Sequence, residues 1–154
     1  MVDYPLINVL LTYRSNSEQE TCMATKIPNE FRDLFEKKAF AHLATVMNDG
    51  SPQVTPVWCD YDGTHVRINS AKGRIKDKNM RRNRQVALSI QDPENPYRFI
   101  ALRGQVVEIT DNTDDHINAL AKKYINQDKY PYKQPNEVRV TYKIRPDHVL
   151  AWAR

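Results

Sequence analysis

The segment from Ala71 to Arg84 carries the strongest chemical signal, with seven lysines and arginines against the single acid Asp77. It follows a stretch with strand-like alternation that ends at Asn69 and Ser70. A hydroxyl group, the N–H groups of a helix start, Arg74 and Lys76 can converge there on one phosphate. Helix N-termini and arginine side chains both favour bound phosphate. The sequence therefore predicts a phosphate-binding turn.

Two other interpretations of this segment stay open. A charge run is most often the solvated face of a helix. A basic helix can also contact nucleic acid phosphates. The aromatic residues, however, are spread over the chain instead of alternating with the basic ones, and the net charge is only +4. We therefore expect no nucleic acid partner.

Pro56 lies within an otherwise regular strand pattern that runs from Gln53 to Tyr61. Proline lacks an N–H group, so one interpretation is an edge strand or a bulge. The other is that neighbouring backbone groups are left free to bond the polar rim of a planar ligand. Trp58, two residues on, is by type more often a core residue than a ligand-stacking one.

The remaining reactive residue types form no recognisable catalytic set. Cys59 has no adjacent base and is expected to be an inert, buried thiol. The four histidines are scattered, so no metal site is predicted. The four glycines are not spaced as in a dinucleotide fingerprint or a phosphate loop. No catalytic side chain is assigned.

Composition indicates one compact domain. The chain has 154 residues, of which 40% are apolar and 27% charged, which is enough to bury a core. We see neither a membrane-spanning run nor a signal peptide. The two cysteines, Cys22 and Cys59, are not expected to form a disulfide, and the expected location is the cytoplasm.

Residues 1–26 differ from the rest because they are polar and lack a sustained period. The folded domain is expected over residues 27–154, starting near Ile27. Met23 is an alternative translation start, which would make the preceding residues an annotation artefact. A genuine flexible or disordered arm is the equally weighted alternative.

The periodicity predicts a mainly β fold of the α+β class. A helix is expected after Ile27, and period-two strands are expected over 40–47, 53–61, 65–70, 86–90 and 97–109, the last bent at Gly104. A short helix carries the basic segment, and a second follows Thr113. Two final strands are expected over 138–144 and 148–152. The order favours an antiparallel barrel of about six to seven strands with short peripheral helices.

Several short motifs occur in an order that resembles a known superfamily. They are Phe40-Ala41-His42-Leu43-Ala44-Thr45, Asp49-Gly50-Ser51-Pro52-Gln53-Val54-Thr55-Pro56-Val57-Trp58, Asp62-Gly63, Ser70-Ala71-Lys72-Gly73-Arg74-Ile75-Lys76, Asn79-Met80-Arg81-Arg82-Asn83, Arg103-Gly104 and Val149-Leu150-Ala151-Trp152. The chain resembles the flavin- and deazaflavin-binding split-barrel superfamily, which includes the pyridoxamine 5′-phosphate oxidases. Over residues 27–152 it is most similar to the branch of coenzyme F420-dependent enzymes.

The resemblance implies a homodimer with the cofactor at the interface. The cofactor phosphate would be bound by Ser70, Arg74 and Lys76, supported by Asn69 and Asn79. The ring system would lie along the second strand, at the residues Gln53, Thr55, Pro56, Val57 and Trp58. Contacts from the partner chain would come from Tyr97, Arg98 or Trp152.

The implied function is an F420-dependent oxidoreductase that transfers a hydride between the reduced cofactor and an electron-poor small molecule. FMN in place of F420, giving a flavin reductase or oxidase, is the first alternative. A non-catalytic module that binds flavin or haem is the second. The chain ends at Arg154 without the Arg-Leu segment by which pyridoxamine phosphate oxidases hold their substrate, so vitamin B6 oxidation is not expected.

Overall fold

The computed structural model describes residues 25–153. In chain order the elements are a 3₁₀ helix (Asn29–Phe35), β1 (Ala41–Val46), β2 (Pro52–Val57), β3 (Cys59–Tyr61), β4 (Val66–Ala71), α1 (Ile75–Arg82), β5 (Gln85–Gln91), β6 (Phe99–Asp111), α2 (Asp114–Ile125) and β7 (Arg139–Trp152). The prediction for the N-terminal arm, including Met23, lies outside the described residues except at Thr25 and Lys26.

The strands form one antiparallel sheet in the order β2-β1-β5-β6-β7-β4-β3. The two edge strands, β2 and β3, are consecutive in the chain and are separated only by Trp58. Because one residue joins the two edges, the sheet must curl until its ends come together. The predicted mainly β fold, a split barrel with peripheral helices, is therefore confirmed. The two edge strands, β2 and β3, meet at Trp58.

Alternating side chains of the strands fill the interior of this curled sheet. The buried set includes Leu43 of β1, Leu88 and Ile90 of β5, Ile100 and Leu102 of β6, and Tyr142 and Ile144 of β7. The 3₁₀ helix adds Phe31, Leu34 and Phe35, as its predicted apolar face requires. Burial of this apolar surface is the main source of stability.

Two predicted strand boundaries are wrong. The strand expected over 53–61 is broken at Trp58, so β2 pairs with β1 while β3 pairs with β4 at the opposite edge. The expected pair of final strands is one strand, β7, which continues through Pro146. Pro146 lies opposite Gly104, where the β6–β7 register shifts, and a proline is tolerated where the hydrogen-bond ladder is already interrupted.

Gly104 is required by close backbone approach. A Cβ atom at this position would lie 2.1 Å from the carbonyl oxygen of Arg145. Any larger residue must therefore push β6 away from β7 at the bend. The predicted bulge at Gly104 is confirmed by the register shift between Arg103 and Gly104.

Gly104→Ala is expected to lower the free energy of unfolding by about 2 kcal/mol, because the added methyl group overpacks the β6–β7 contact. Denaturant unfolding measures the change. Gln105→Ala, at the next position of β6, is the control and should change stability much less. Equal stability of Gly104→Ala and the wild type would contradict the close-approach account.

Candidate functional site

A cleft of about 180 Å³ lies where the end of β2, the end of β4, the start of α1, α2 and the loop before β7 meet. Its lining residues are Phe40, Pro56, Val57, Trp58, Asn69, Ser70, Arg74, Lys76, Ile117, Tyr130, Tyr132 and Arg139. Seven of the residues predicted from the sequence are in this set. The cleft therefore joins the predicted phosphate turn to the end of the second strand.

The turn between β4 and α1 forms the basic wall. Gly73 has a φ of 86°, a left-handed conformation that favours glycine. The N–H group of Gly73 donates to the Asp77 carboxylate at 2.7 Å. Asp77 also accepts from Arg81 at 2.8 Å and from the Tyr142 hydroxyl. Asp77 thus fixes the turn that carries Arg74.

Ser70 and Lys76 have unmet bonding capacity in this wall. The Ser70 Oγ is buried and has no hydrogen-bond partner in the described part of the chain. Among residues 25–153, Lys76 makes no ion pair. A buried polar atom without a partner is rare and costs free energy. A bound anionic oxygen would satisfy both groups, so these residues fit a phosphate.

The cations of the cleft are close enough to perturb one another. The pKa of Lys76 is lowered, first because the ammonium group is partly buried and then because Arg74 and Arg139 are near. Burial and like charge both disfavour the protonated lysine. A bound anion would reverse the second effect.

Arg139 is a cleft residue that the sequence analysis missed. Its Nε donates to Asn69 Oδ1 at 2.8 Å, and its guanidinium lies 5.0 Å from the centre of the Tyr130 ring. It reaches the cleft because Arg139 of β7 pairs with Ala71 of β4. The available signal was its position inside the strand predicted over 138–144, since a buried arginine requires a partner.

Asn69 holds Arg139 and connects it to a buried polar chain. Asn69 Nδ2 donates to Thr141 Oγ1 at 3.2 Å, and Thr141 Oγ1 lies 2.7 Å from His116 Nδ1. The other ring nitrogen of His116 lies 3.5 Å from Asp60 Oδ1. Side-chain networks of this kind restrict each member to one position.

Aromatic side chains form the opposite wall. Trp58 stacks on Tyr124 with ring centres 5.0 Å apart, and Tyr130 packs edge-on to Trp58 at 5.8 Å. Tyr132 continues the wall next to Tyr130 at 5.6 Å. Trp58 therefore lies in both the packing core of α2 and the cleft. Nothing in the sequence indicated Tyr130 and Tyr132, because they belong to a loop with no regular pattern.

Three of the residues predicted to bind the cofactor within one chain lie outside the cleft lining. Asn79 is buried and donates to Thr45 Oγ1 at 3.0 Å, and Thr45 donates to Gln53 Oε1 at 3.3 Å. Asn79 thus ties α1 to the β1–β2 hairpin. Gln53 and Thr55 lie on the same sheet face as Leu43, which points into the core.

The outer face of the sheet next to the cleft carries exposed apolar side chains among polar ones. One cross-strand row consists of Pro56, His42, Ser89, Ala101 and Leu150, of which Leu150 is 48% exposed. The neighbouring rows contain Val54, which is 59% exposed, and Trp152, which is 43% exposed, together with Arg103, His148 and Gln91. Exposed apolar side chains on one sheet face are candidates for an interaction surface. Pro56 belongs both to this face and to the cleft.

The three residues expected to contact a partner have different environments. Tyr97 and Trp152 are exposed. Arg98 is bonded within its own chain, to Asp33 at 2.6 Å and to Asp92 at 2.6 Å. The guanidinium of Arg98 therefore joins the 3₁₀ helix to the loop before β6.

Cys59 is fully buried, and burial raises the pKa of its thiol to about 11. The expected burial of this thiol is confirmed. Within residues 25–153, no group of three or more histidine, cysteine, aspartate or glutamate side chains is arranged to hold a metal ion. The same residues include no helix that is long and apolar enough to cross a membrane.

The sequence and the fold are similar to those of known proteins. The sequence profile described as pyridoxamine 5′-phosphate oxidase matches residues 27–153. The chain belongs to the pyridoxamine 5′-phosphate oxidase family. The match covers every strand and helix of the split barrel. A search of curated proteins found no significant match.

Solved structures of similar fold support the family assignment. An F420 reductase is 35% identical, with a TM-score of 0.71, and the match covers 80% of this chain and 98% of that one. A candidate pyridoxamine 5′-phosphate oxidase from Lactobacillus delbrueckii is 26% identical, with a TM-score of 0.54 and coverage of 82% and 94%. A conserved Mycobacterium tuberculosis protein shares the fold at 18% identity, with a TM-score of 0.62 and coverage of 88% and 89%.

Lys76→Gln is expected to raise the free energy of unfolding of the ligand-free protein by about 0.5 kcal/mol, because it removes one of three neighbouring positive charges in a partly screened site. The folded-state pKa of Lys76 is below that of an unfolded lysine. The free energy of unfolding of the wild type should therefore rise as the pH increases through the folded-state pKa of Lys76, because the lysine then loses its charge.

Denaturant unfolding at several pH values measures the effect. Lys78→Gln is the matched control, because Lys78 is exposed on the same helix. A Lys76→Gln variant that is less stable than the wild type at neutral pH would contradict the account.

Proposed function

We propose that the protein is a homodimeric, F420-dependent oxidoreductase that transfers a hydride between the reduced deazaflavin and an electron-poor small organic molecule. The observation that carries this proposal is the cleft itself, where the unpartnered Ser70 Oγ and Lys76 face an aromatic wall. The 35% identity to an F420 reductase supports the choice of cofactor.

The basic wall would bind the cofactor phosphate. Ser70 can donate its hydroxyl hydrogen, and Lys76 and Arg74 can donate charge-assisted hydrogen bonds. Each such bond contributes about 1.5 to 3 kcal/mol. Arg139 is a further donor on the same wall, positioned by Asn69. Asn79 would act indirectly, by holding α1 against β1.

The second strand would hold the ring system. β2 is an edge strand of the sheet, so one side of its backbone is not used for pairing in the described residues. The stretch from Gln53 to Trp58 can offer these backbone groups to the polar rim of the ring. Pro56 lacks an N–H group and presents an apolar surface there. Trp58 closes the end of the strand with an aromatic face.

When bound, the deazaflavin supplies the hydride from its C5 atom, the acceptor gains two electrons, and water supplies the second proton. The chain contributes binding and orientation. Anchoring at Ser70, Arg74 and Lys76 fixes one end of the ligand, and β2 fixes the plane of the ring. The aromatic side chains of Trp58, Tyr130 and Tyr132 exclude water from the ring. Such positioning accounts for a large part of catalysis in cofactor enzymes.

The outer sheet face next to the cleft would form the dimer contact. The rows that contain Val54, Leu150 and Trp152 adjoin the cleft at Pro56. A second copy packed on this face would bring its exposed Tyr97 or Trp152 towards the cleft. Arg98 is less suited to this role, because its guanidinium already pairs with Asp33 and Asp92 of its own chain.

The double variant Arg74→Ala/Lys76→Ala is expected to bind F420 at least tenfold more weakly than the wild type. A tenfold loss corresponds to about 1.4 kcal/mol, less than the value of one charge-assisted bond. Fluorescence titration with F420, and in parallel with FMN, measures the affinities. The control is Lys78→Ala, which removes a positive charge from the same helix.

An acceptor screen with reduced F420 then tests for the activity. Return of the oxidised cofactor's absorbance in the presence of an electron-poor acceptor is the expected result. Unchanged F420 affinity of the folded double variant would contradict the phosphate site. Selective FMN binding by the wild type would contradict the choice of cofactor and favour a flavin enzyme on the same fold.

Leu150→Glu is expected to dissociate the dimer, because it places a charge on the sheet face that would contact the second copy. Light scattering measures the mass in solution. Val107→Glu is the control, since Val107 is similarly exposed but belongs to none of the three rows. A dimer that survives Leu150→Glu, or a wild-type monomer, would contradict this interface.

A further inference from the structure

A carboxylate lies between two of the cleft arginines. Glu137 Oε1 accepts from Arg139 Nη1 at 2.9 Å, and Glu137 Oε2 lies 3.3 Å from Arg74 Nη2. The Glu137 side chain is only 10% exposed. Its backbone N–H donates to the Gln134 carbonyl oxygen at 3.1 Å, which closes the loop before β7. Glu137 is therefore held in place at the anion-binding end of the cleft.

This placement is unfavourable for a site that only needs to attract anions. The wall has three cations, Arg74, Lys76 and Arg139, and Glu137 neutralises part of that charge. Asp77, the acid on α1, is already engaged by Arg81 and the Tyr142 hydroxyl. A phosphate bound to the same arginines would lie within a few ångströms of the Glu137 carboxylate. Two anions at that separation repel each other.

We propose that Glu137 is a specificity-determining residue that favours a phosphodiester over a phosphate monoester in this cleft. The Coulomb energy between two groups is proportional to the product of their charges. The repulsion from Glu137 is therefore about twice as large for a dianion as for a monoanion in the same position. The phosphate group of F420 is a diester with one negative charge, whereas the phosphate group of FMN is a monoester with close to two negative charges at neutral pH.

This inference rests on the proposed function for the identity of the two ligands. Three possible roles of Glu137 predict different changes in ligand affinity when its charge is removed. If Glu137 only orients Arg74 and Arg139, its removal should weaken both ligands. If Glu137 only obstructs the cleft, the isosteric Glu137→Gln variant should leave both affinities unchanged. A charge-dependent repulsion alone predicts a larger gain for the dianion.

The test is Glu137→Gln, which removes the charge but keeps the shape and a carbonyl acceptor for the arginines. Affinities for F420 and FMN are measured by fluorescence titration with the wild type and the variant, at pH 8 and low ionic strength. We expect the FMN affinity to rise about tenfold and the F420 affinity about threefold, because half the free energy gives the square root of the factor. The difference should shrink in high salt.

Glu108→Gln is the matched control, since Glu108 pairs with Lys143 on the protein surface and its neutralisation should leave the affinity ratio unchanged. Equal gains for both ligands, unchanged affinities or losses for both in folded Glu137→Gln would overturn the inference while leaving the proposed function in place. A folded wild type that binds neither ligand would overturn the proposed function and this inference together.

Discussion

The mutual repulsion of Arg74, Lys76 and Arg139 is the constraint that the rest of the cleft must balance. Glu137 neutralises only part of the charge of these three cations, and the pKa of Lys76 is lowered, first by burial and then by the nearby Arg74 and Arg139. Neighbouring bonds keep the cations in place. Asp77 fixes the turn before α1, and Asn69 holds the Arg139 guanidinium.

The same arrangement links stability to function. Ser70 Oγ is buried without a partner, and Lys76 makes no ion pair within residues 25–153. The buried, unpartnered Ser70 Oγ and the like charges near Lys76 both lower the stability of the ligand-free protein, and a bound phosphate oxygen would relieve both. Sites that bind ligands commonly retain such unfavourable features, because the bonding capacity must stay available. The rigid sheet compensates for them through its apolar core.

The part of the candidate site that is local in the chain could be predicted from the sequence. Ser70, Arg74 and Lys76 lie within seven residues, and the predicted strand-to-helix turn was enough to group them; the structure places all three in the lining of one cleft. Arg139 and Glu137 could not be found in this way, because the β4–β7 pairing brings them to the turn from more than sixty residues away. That register depends on the whole sheet and leaves no local pattern.

The errors in the fold have the same origin. Nothing in the alternation of residues 53–61 shows that Trp58 joins the two edges of a curled sheet. Pro146 has the sequence signature of a strand end, but the bend opposite Gly104 allows the strand to continue. The amide of Asn79, a residue expected from the family pattern to support the phosphate site, bonds to Thr45 of β1, a contact that the sequence did not show. Short-range elements were therefore predictable, and the contacts between them were not.

A crystal structure of the full chain with bound F420 would show directly whether the cofactor phosphate binds at the basic wall of the cleft. We expect one phosphate oxygen to accept hydrogen bonds from Ser70 Oγ and Lys76 Nζ, with the ring along β2 next to Trp58. A complex in which the phosphate lies elsewhere, and Ser70 Oγ still lacks a partner, would contradict it.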